Sequence, residues 1–103
     1  AHSDPAAGLA MMDLYDRNEG LDPVGALQSA SGGDDIDAQL LAADVEALQG
    51  NWSACFTRLI DAVRQSAGDD RERARTRIVE LFSVAGDDSA VASARTALAS
   101  ALF

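Results

Sequence analysis

The apolar positions of this chain repeat at intervals of three and four residues, and the clearest repeat follows Asn51. There they fall at i, i+3, i+4, i+7, i+8 and i+11, which is one face of an α-helix. These residues are Trp52, Cys55, Phe56, Leu59, Ile60 and Val63. A similar pattern runs from Ile36 to Leu48. Gly50 lets the first helix end with positive φ, and Asn51 is suited to cap the second. So short a link predicts two antiparallel helices that pack side by side.

Two helices are predicted before this hairpin. Asp-Pro pairs at residues 4–5 and 22–23 each place a capping residue before a proline at the first helical position. They predict helices over about 5–18 and 23–30. The residues expected to be buried are Leu9, Met12 and either Met11 or Tyr15 in the first helix, and Val24, Leu27 and Ala30 in the second.

Two further helices are predicted after the hairpin. Asp34 is the expected cap of the helix that opens the hairpin, and Asp69 is the expected cap of the fifth helix, with Glu72 completing a capping box. Asp87 or Asp88 is expected to cap the sixth helix. The buried faces are predicted at Ala74, Ile78, Leu81, Phe82 and Ala85, and at Val91, Ala94, Leu98, Ala101 and Leu102. Leu59 and Phe82 are expected to be buried where the last two helix pairs meet.

The six helices group into three pairs, over about 5–31, 35–66 and 69–102. Their turn glycines lie 30 and 36 residues apart, at Gly20, Gly50 and Gly86. These intervals bracket the ~34-residue period of tetratricopeptide repeats. The sequence therefore predicts an all-α fold: three antiparallel helix pairs stacked as a tetratricopeptide-like right-handed array, in a single domain over residues 1–103.

The middle pair fits this repeat best. Ala43, Cys55 and Ala62 fall at positions where small residues let paired helices approach closely. Gln39 stands where the repeat usually carries tryptophan. The outer pairs match the repeat more loosely.

The charge of the chain is unevenly distributed. Residues 1–50 carry ten acidic residues against Arg17 alone, whereas residues 51–103 carry seven acidic residues and seven arginines. The net charge is −9, and the chain has no lysine. Nucleic-acid binding requires a basic face, and binding to a membrane surface favours a basic amphipathic helix. Neither class is expected, and no apolar run is long enough to span a bilayer.

No catalytic, cofactor-binding or metal site is predicted. Cys55 lies in a buried stripe and is interpreted as a small core residue; a redox or client-linking thiol is the alternative. A single cysteine is compatible with a reducing compartment. The aspartates near residue 35 are interpreted as helix caps and not as a calcium loop, because the alternating carboxylates and the central glycine are missing. We expect the arginines of residues 71–77 to form a solvated face with i, i+3 pairs, Glu72 with Arg75 and Arg77 with Glu80. Contact to an acidic partner domain is the alternative.

Residues 74–82, 86–88 and 94–103 resemble the extreme C-terminus of the thioredoxin-domain co-chaperones called chaperedoxins. That family joins an N-terminal thioredoxin-like domain to a tetratricopeptide-like helical domain. The resemblance implies a cytoplasmic bacterial protein, not an enzyme, that holds unfolded or oxidation-prone clients and passes them to a chaperonin. The chain starts at Ala1 and is interpreted as a fragment whose thioredoxin-like domain is missing. The alternative is a generic tetratricopeptide-like scaffold or self-association module of an unrelated multidomain protein, in which helix 1 or an end face could form a homodimer.

The predicted partner-binding face lies on the concave side of the array. In the middle pair, the first-helix residues expected to point there are Asp37, Leu40, Asp44, Ala47 and Leu48. Such a face mixes apolar and acidic character, so it should bind apolar or basic client segments and repel acidic tails. Helix 1 is weakly patterned and is expected to be less protected than helices 3 to 6.

Overall fold

The structure is a computed structural model that describes residues 5–33 and 35–103. In these residues the chain forms α-helices joined by short loops, and no strand occurs. The helices are α1 (Pro5–Arg17), α2 (Pro23–Ala30), α3 (Ile36–Leu48), α4 (Trp52–Gln65), α5 (Gly68–Ala85) and α6 (Ser89–Leu102). The predicted all-α architecture is confirmed. The predicted cap Asp4 lies outside the described residues, as does Asp34.

Helix α4 lies at the centre of the array and packs against α3, α5 and α6. Its apolar stripe is buried as predicted, with Cys55, Leu59 and Val63 fully enclosed. Phe56 is also buried, and its ring meets Phe82 of α5 edge to face at 5.0 Å between centroids. Trp52 stacks on Phe56 from the rim. Leu59 and Phe82 are therefore both core residues, as expected.

Helices α3 and α4 form the predicted hairpin. Gly50 has φ +75°, and the backbone N–H of Asn51 donates to the carbonyl of Glu46 at 2.8 Å. Asn51 occupies the N-cap position of α4, but the predicted side-chain capping bond is wrong, since its side chain makes no cap hydrogen bond. At the start of α3, Asp35 is the cap and accepts from the N–H of Asp37.

Helices α5 and α6 follow with one correction. Ala67 is the N-cap of α5, so the predicted cap at Asp69 and the capping box of Glu72 are wrong. Asp69 instead lies in the first turn of the helix, where a negative charge favours the helix dipole. Asp88 caps α6 as predicted. Arg71 at the start of α5 donates to the carbonyl of Ala101 near the end of α6, at 2.7 Å, and α6 packs mainly on α4.

Helices α1 and α2 pack on helices of the later pairs. Helix α2 packs against α3, whereas α1 lies mainly against α5 and also contacts α3. The expected buried stripe of α1 is wrong: its inward residues are Ala10 and Leu14. Leu9, Met12 and Tyr15 are 64%, 60% and 59% exposed, and Met11 also points to solvent. The inward face is the one that carries Arg17, which forms an ion pair with Asp44 of α3.

The prediction for α2 needs a similar correction. Ala26 and Ala30 are buried, Leu27 is half-buried, and Val24 is exposed. Small side chains let two helices approach closely, so the alanine face of α2 lies on α3 in place of the valine face.

Candidate partner-binding groove

Helices α3 and α5 contact each other, and α1 lies on both of them. We call this surface the α3–α5 groove and define it by Leu40 and Asp44 of α3 and Arg73, Arg77 and Glu80 of α5. Two cavities mark its course. One of about 140 Å³ is bounded on one side by Arg17 and Asn18. The other, of about 290 Å³, is lined by α3 and α5 residues only.

Asp44 is the polar centre of the groove. It is only 1% exposed, yet its carboxylate is well supplied with donors. Arg17 donates to both oxygens, from Nε at 2.8 Å and from Nη2 at 2.9 Å. Arg77 donates from Nη1 at 2.8 Å, and the Asn18 amide donates at 3.2 Å. Because a buried charge is tolerated only when it is paired and hydrogen-bonded, this cluster ties α1, α3 and α5 together.

Arg17 also reaches the second carboxylate of the groove. Its Nη2 lies 2.6 Å from Oε1 of Glu80, and its side chain remains 26% exposed. Burial opposes the charged guanidinium, but hydrogen bonds and attraction from Asp44 and Glu80 outweigh it and raise the pKa of Arg17 above its ordinary value. The guanidinium is therefore a permanent cation held between two acids.

The sequence of α1 places these groups on one face. Leu14, Arg17 and Asn18 stand at i, i+3 and i+4, which share one side of a helix. Asn18 also donates to the carbonyl of Leu14 at 2.7 Å, which satisfies a carbonyl in the last turn of the helix. The sequence held one signal for this contact: Arg17 is the sole cation among the first fifty residues.

The five residues predicted to bind a partner do not form one open surface. Leu40 and Asp44 meet in the groove, and both are buried. Asp37 is exposed at its rim, where it pairs with Arg73. Ala47 is buried in the core and Leu48 is half-buried against it. Partner binding through these residues remains a prediction, and in this structure α1 already contacts the acidic centre.

The arginines of α5 follow the expectation only in part. Arg75 pairs with Glu72 at i, i+3 on the surface, as predicted. Arg77 does not pair with Glu80 but turns to Asp44, and Arg71 is tied to α6. A solvated face is therefore wrong for Arg71 and Arg77, because buried acceptors on neighbouring helices take their guanidinium groups.

A second polar cluster joins α2, α3 and α4. Arg58 donates to Glu46 at 2.7 Å and to the amide oxygen of Gln39 at 2.8 Å. The Gln39 amide nitrogen in turn donates to the carbonyls of Ala30 at 2.7 Å and Gly33 at 3.1 Å. Gln39 thus provides hydrogen bonds to carbonyls at and just after the end of α2. The cluster stabilises the fold, and sequence reasoning missed it.

Cys55 has the environment of a core residue. Burial raises the pKa of its thiol to about 12, with help from the negative charges of Glu46 and Asp44. A neutral, fully enclosed thiol is a poor nucleophile.

Within residues 5–33 and 35–103, no cluster of three or more histidine, cysteine or acidic side chains could hold a metal ion. Among the helices described there, none has both the length and the apolar character that a membrane crossing requires.

Comparison with known proteins adds two findings. The profile of a family described as tetratricopeptide repeat matches residues 22–103, which leaves α1 outside the match. Uncharacterized proteins from Mycobacterium tuberculosis and Mycobacterium bovis are 48% identical to the chain over 71 residues. The aligned region covers 68% of this chain and 23% of each relative, so the chain spans less than a quarter of their length. No solved structure matches the chain.

Proposed function

The chain belongs to the tetratricopeptide repeat family, and on that basis we propose that it is a protein-interaction module that binds partner segments in the α3–α5 groove. The observation that carries this proposal is the environment of Asp44. This buried carboxylate accepts a forked pair of hydrogen bonds from an arginine on a helix outside the family match. The groove therefore has the chemistry to bind a segment that presents an arginine beside an apolar side chain.

The charges around the groove favour basic over acidic partners. Asp44 and Glu80 meet the incoming cation, and the N-terminal half of the chain is strongly acidic. Arg73 and Arg77 are already engaged by Asp37 and Asp44. An acidic tail would find its cationic partners occupied and would be repelled by the surrounding carboxylates.

The finer proposal is a co-chaperone role. On the resemblance of residues 74–103 to chaperedoxins, the module would lie in a longer cytoplasmic protein that also carries a thioredoxin-like domain. It would hold unfolded or oxidation-prone clients and pass them to a chaperonin. The support for this is the resemblance, together with the carboxylates of Asp44 and Glu80, which pair with an arginine in the groove. No catalytic activity is proposed, since tetratricopeptide repeats are typically interaction modules.

The test is a titration with two sets of labelled peptides, one apolar and basic and one ending in an acidic tail. We expect the first set to bind and the second not to bind, with affinity that salt weakens only partly. Glu80→Gln should weaken binding, whereas Asp61→Asn, an exposed carboxylate on α4, should not. A clear preference for acidic tails would rule out the proposed groove chemistry.

A second candidate function is self-association as a scaffold. The observation that favours it is the outward face of α1, where Leu9, Met12 and Tyr15 form an exposed apolar stripe. If this face binds a second copy, sedimentation should show a mass that increases with concentration, and Met12→Ser should return the chain to a monomer. If the chain is a monomer at all concentrations and binds the peptides, self-association is ruled out and partner binding is supported.

A further inference from the structure

We propose that α1 is a resident ligand of the α3–α5 groove, and that a partner helix with an apolar residue followed three positions later by arginine displaces it. The idea rests on the proposed function, because it names the kind of segment that the groove recognises. It also adds a regulatory element: the module covers its own binding site until a partner competes for it.

The position of α1 is the first argument. Helix α1 lies on α5 and α3, whereas α2, which follows it directly in the sequence, packs on α3. The family match starts at residue 22, where α1 has already ended. Helix α1 is thus an addition to the repeat array and lies along the two helices that line its groove.

The contacts of α1 define a recognition pattern. Ala10 and Leu14 turn inward one helical turn apart, and Arg17 follows on the same face. The small Ala10 permits close approach to α5, Leu14 supplies the apolar anchor, and Arg17 provides the charge. The guanidinium uses two nitrogens on Asp44 and places the second of them near Glu80 as well. Lysine is a point charge without this fork, so the pattern selects arginine over lysine.

Displacement of α1 removes Leu14 from the core but leaves Asp44 with a cationic partner. Arg77 keeps its hydrogen bond to Asp44 at 2.8 Å, so the buried carboxylate still has a cationic partner when Arg17 leaves. Glu80 is already 26% exposed at its side chain and gains water. Among the described residues of α1 only Ala10 and Leu14 are buried apolar residues, whereas α4 buries six residues. Local opening of α1 should therefore require much less free energy than unfolding of the array.

The groove also offers a partner a place to begin. The cavity of about 290 Å³ lies between α3 and α5 and has Leu40, Thr76 and Glu80 among its lining residues, with none from α1. An incoming segment is able to contact this open stretch before α1 has left. Because a partner competes with α1, its apparent Kd equals the intrinsic Kd of the open groove divided by the fraction of molecules in which α1 has left the groove.

The experiment uses the 103-residue chain and a fluorescent peptide with the sequence of residues 5–19, followed by anisotropy. Wild type should bind this peptide weakly, because its own α1 fills the groove. Leu14→Ser and Arg17→Ser should each bind it at least about tenfold more tightly. Arg64→Ser is the matched control, an arginine on the exposed surface of α4, and should behave as wild type. A peptide in which Arg17 is replaced by lysine should bind the Arg17→Ser chain more weakly than the natural peptide.

The outcomes separate this inference from the proposed function. Equal binding of the α1 peptide by wild type and Arg17→Ser would show that α1 does not compete, and would overturn the inference alone. Binding of the apolar and basic client peptides without any binding of the α1 peptide would also overturn it. Failure of every peptide on every variant would overturn both. If circular dichroism shows that Leu14→Ser does not fold, Arg17→Ser decides, because that change leaves the apolar core untouched.

Discussion

Replacement of Asp44 by asparagine removes the charge at the centre of the groove and preserves the size of the side chain. Loss of one partner from a buried ion pair typically destabilises a protein by about 3–5 kcal/mol. Here Arg17 and Arg77 keep 26% and 21% of their side-chain surface exposed, and Arg17 retains Glu80. Because both cations have access to water, we expect a smaller loss of about 2–3 kcal/mol from the free energy of unfolding.

The assay is urea unfolding followed by helical circular dichroism. The unfolding midpoint should fall while its slope with urea stays constant, since the surface exposed on unfolding does not change. Asp61→Asn is the control: its carboxylate is 53% exposed and lies 3.7 Å from Arg64, so the expected change is below about 0.5 kcal/mol. An Asp44→Asn loss no larger than that of the control would refute the cluster as the link between α1, α3 and α5.

Three further predictions concern the core, the thiol and the hairpin turn. Leu59→Ala and Phe82→Ala should each lower the free energy of unfolding by about 2–5 kcal/mol, because both side chains are buried; a loss below about 0.5 kcal/mol, well under such truncation effects, would contradict this burial. Cys55 should resist a thiol reagent at pH 8 until the chain unfolds; prompt labelling of the folded chain would show an accessible thiol. The free energy of unfolding should also decline as the pH rises from the ordinary pKa of a thiol towards 12, because the thiol loses its proton in the unfolded chain before it does so in the folded one. Gly50→Ala should destabilise the protein by about 1 kcal/mol, because Gly50 has φ +75° and no neighbour that a methyl group would touch, and an unchanged unfolding midpoint would argue against this turn.

The sequence predicted the centre of the fold well because burial there depends on apolar periodicity alone. The stripe of α4 has six apolar residues at helical spacing, and a helix with that stripe has one favourable way to face a core. The turn at Gly50 and the cap at Asp88 are local in the same way, since a few adjacent residues determine them.

The orientation of α1 was not predictable by the same reasoning. Its outward face is the more apolar one, with Leu9, Met12 and Tyr15 exposed, so periodicity points in the wrong direction. The buried face is decided by a pairing between Arg17 and Asp44, which are 27 residues apart. A pattern read along one helix does not contain that information.

The candidate site shows the same limit. Leu40 and Asp44 lie in the α3–α5 groove, but their burial depends on α1 and on Arg77, which come from distant parts of the chain. The start of α5 shows that local signals can mislead as well. Asp69 is followed by a capping-box glutamate, yet α5 begins at Gly68 and its N-cap is Ala67, two residues before Asp69.

The most direct test of this account is amide hydrogen exchange on the 103-residue chain, with and without a saturating apolar and basic peptide. If the peptide takes the place of α1, exchange should become faster across residues 5–17 and slower across α3 and α5, with α6 unchanged. If α3 and α5 exchange more slowly while the protection of α1 stays the same or rises, the peptide binds without displacing α1, and the shared groove is contradicted.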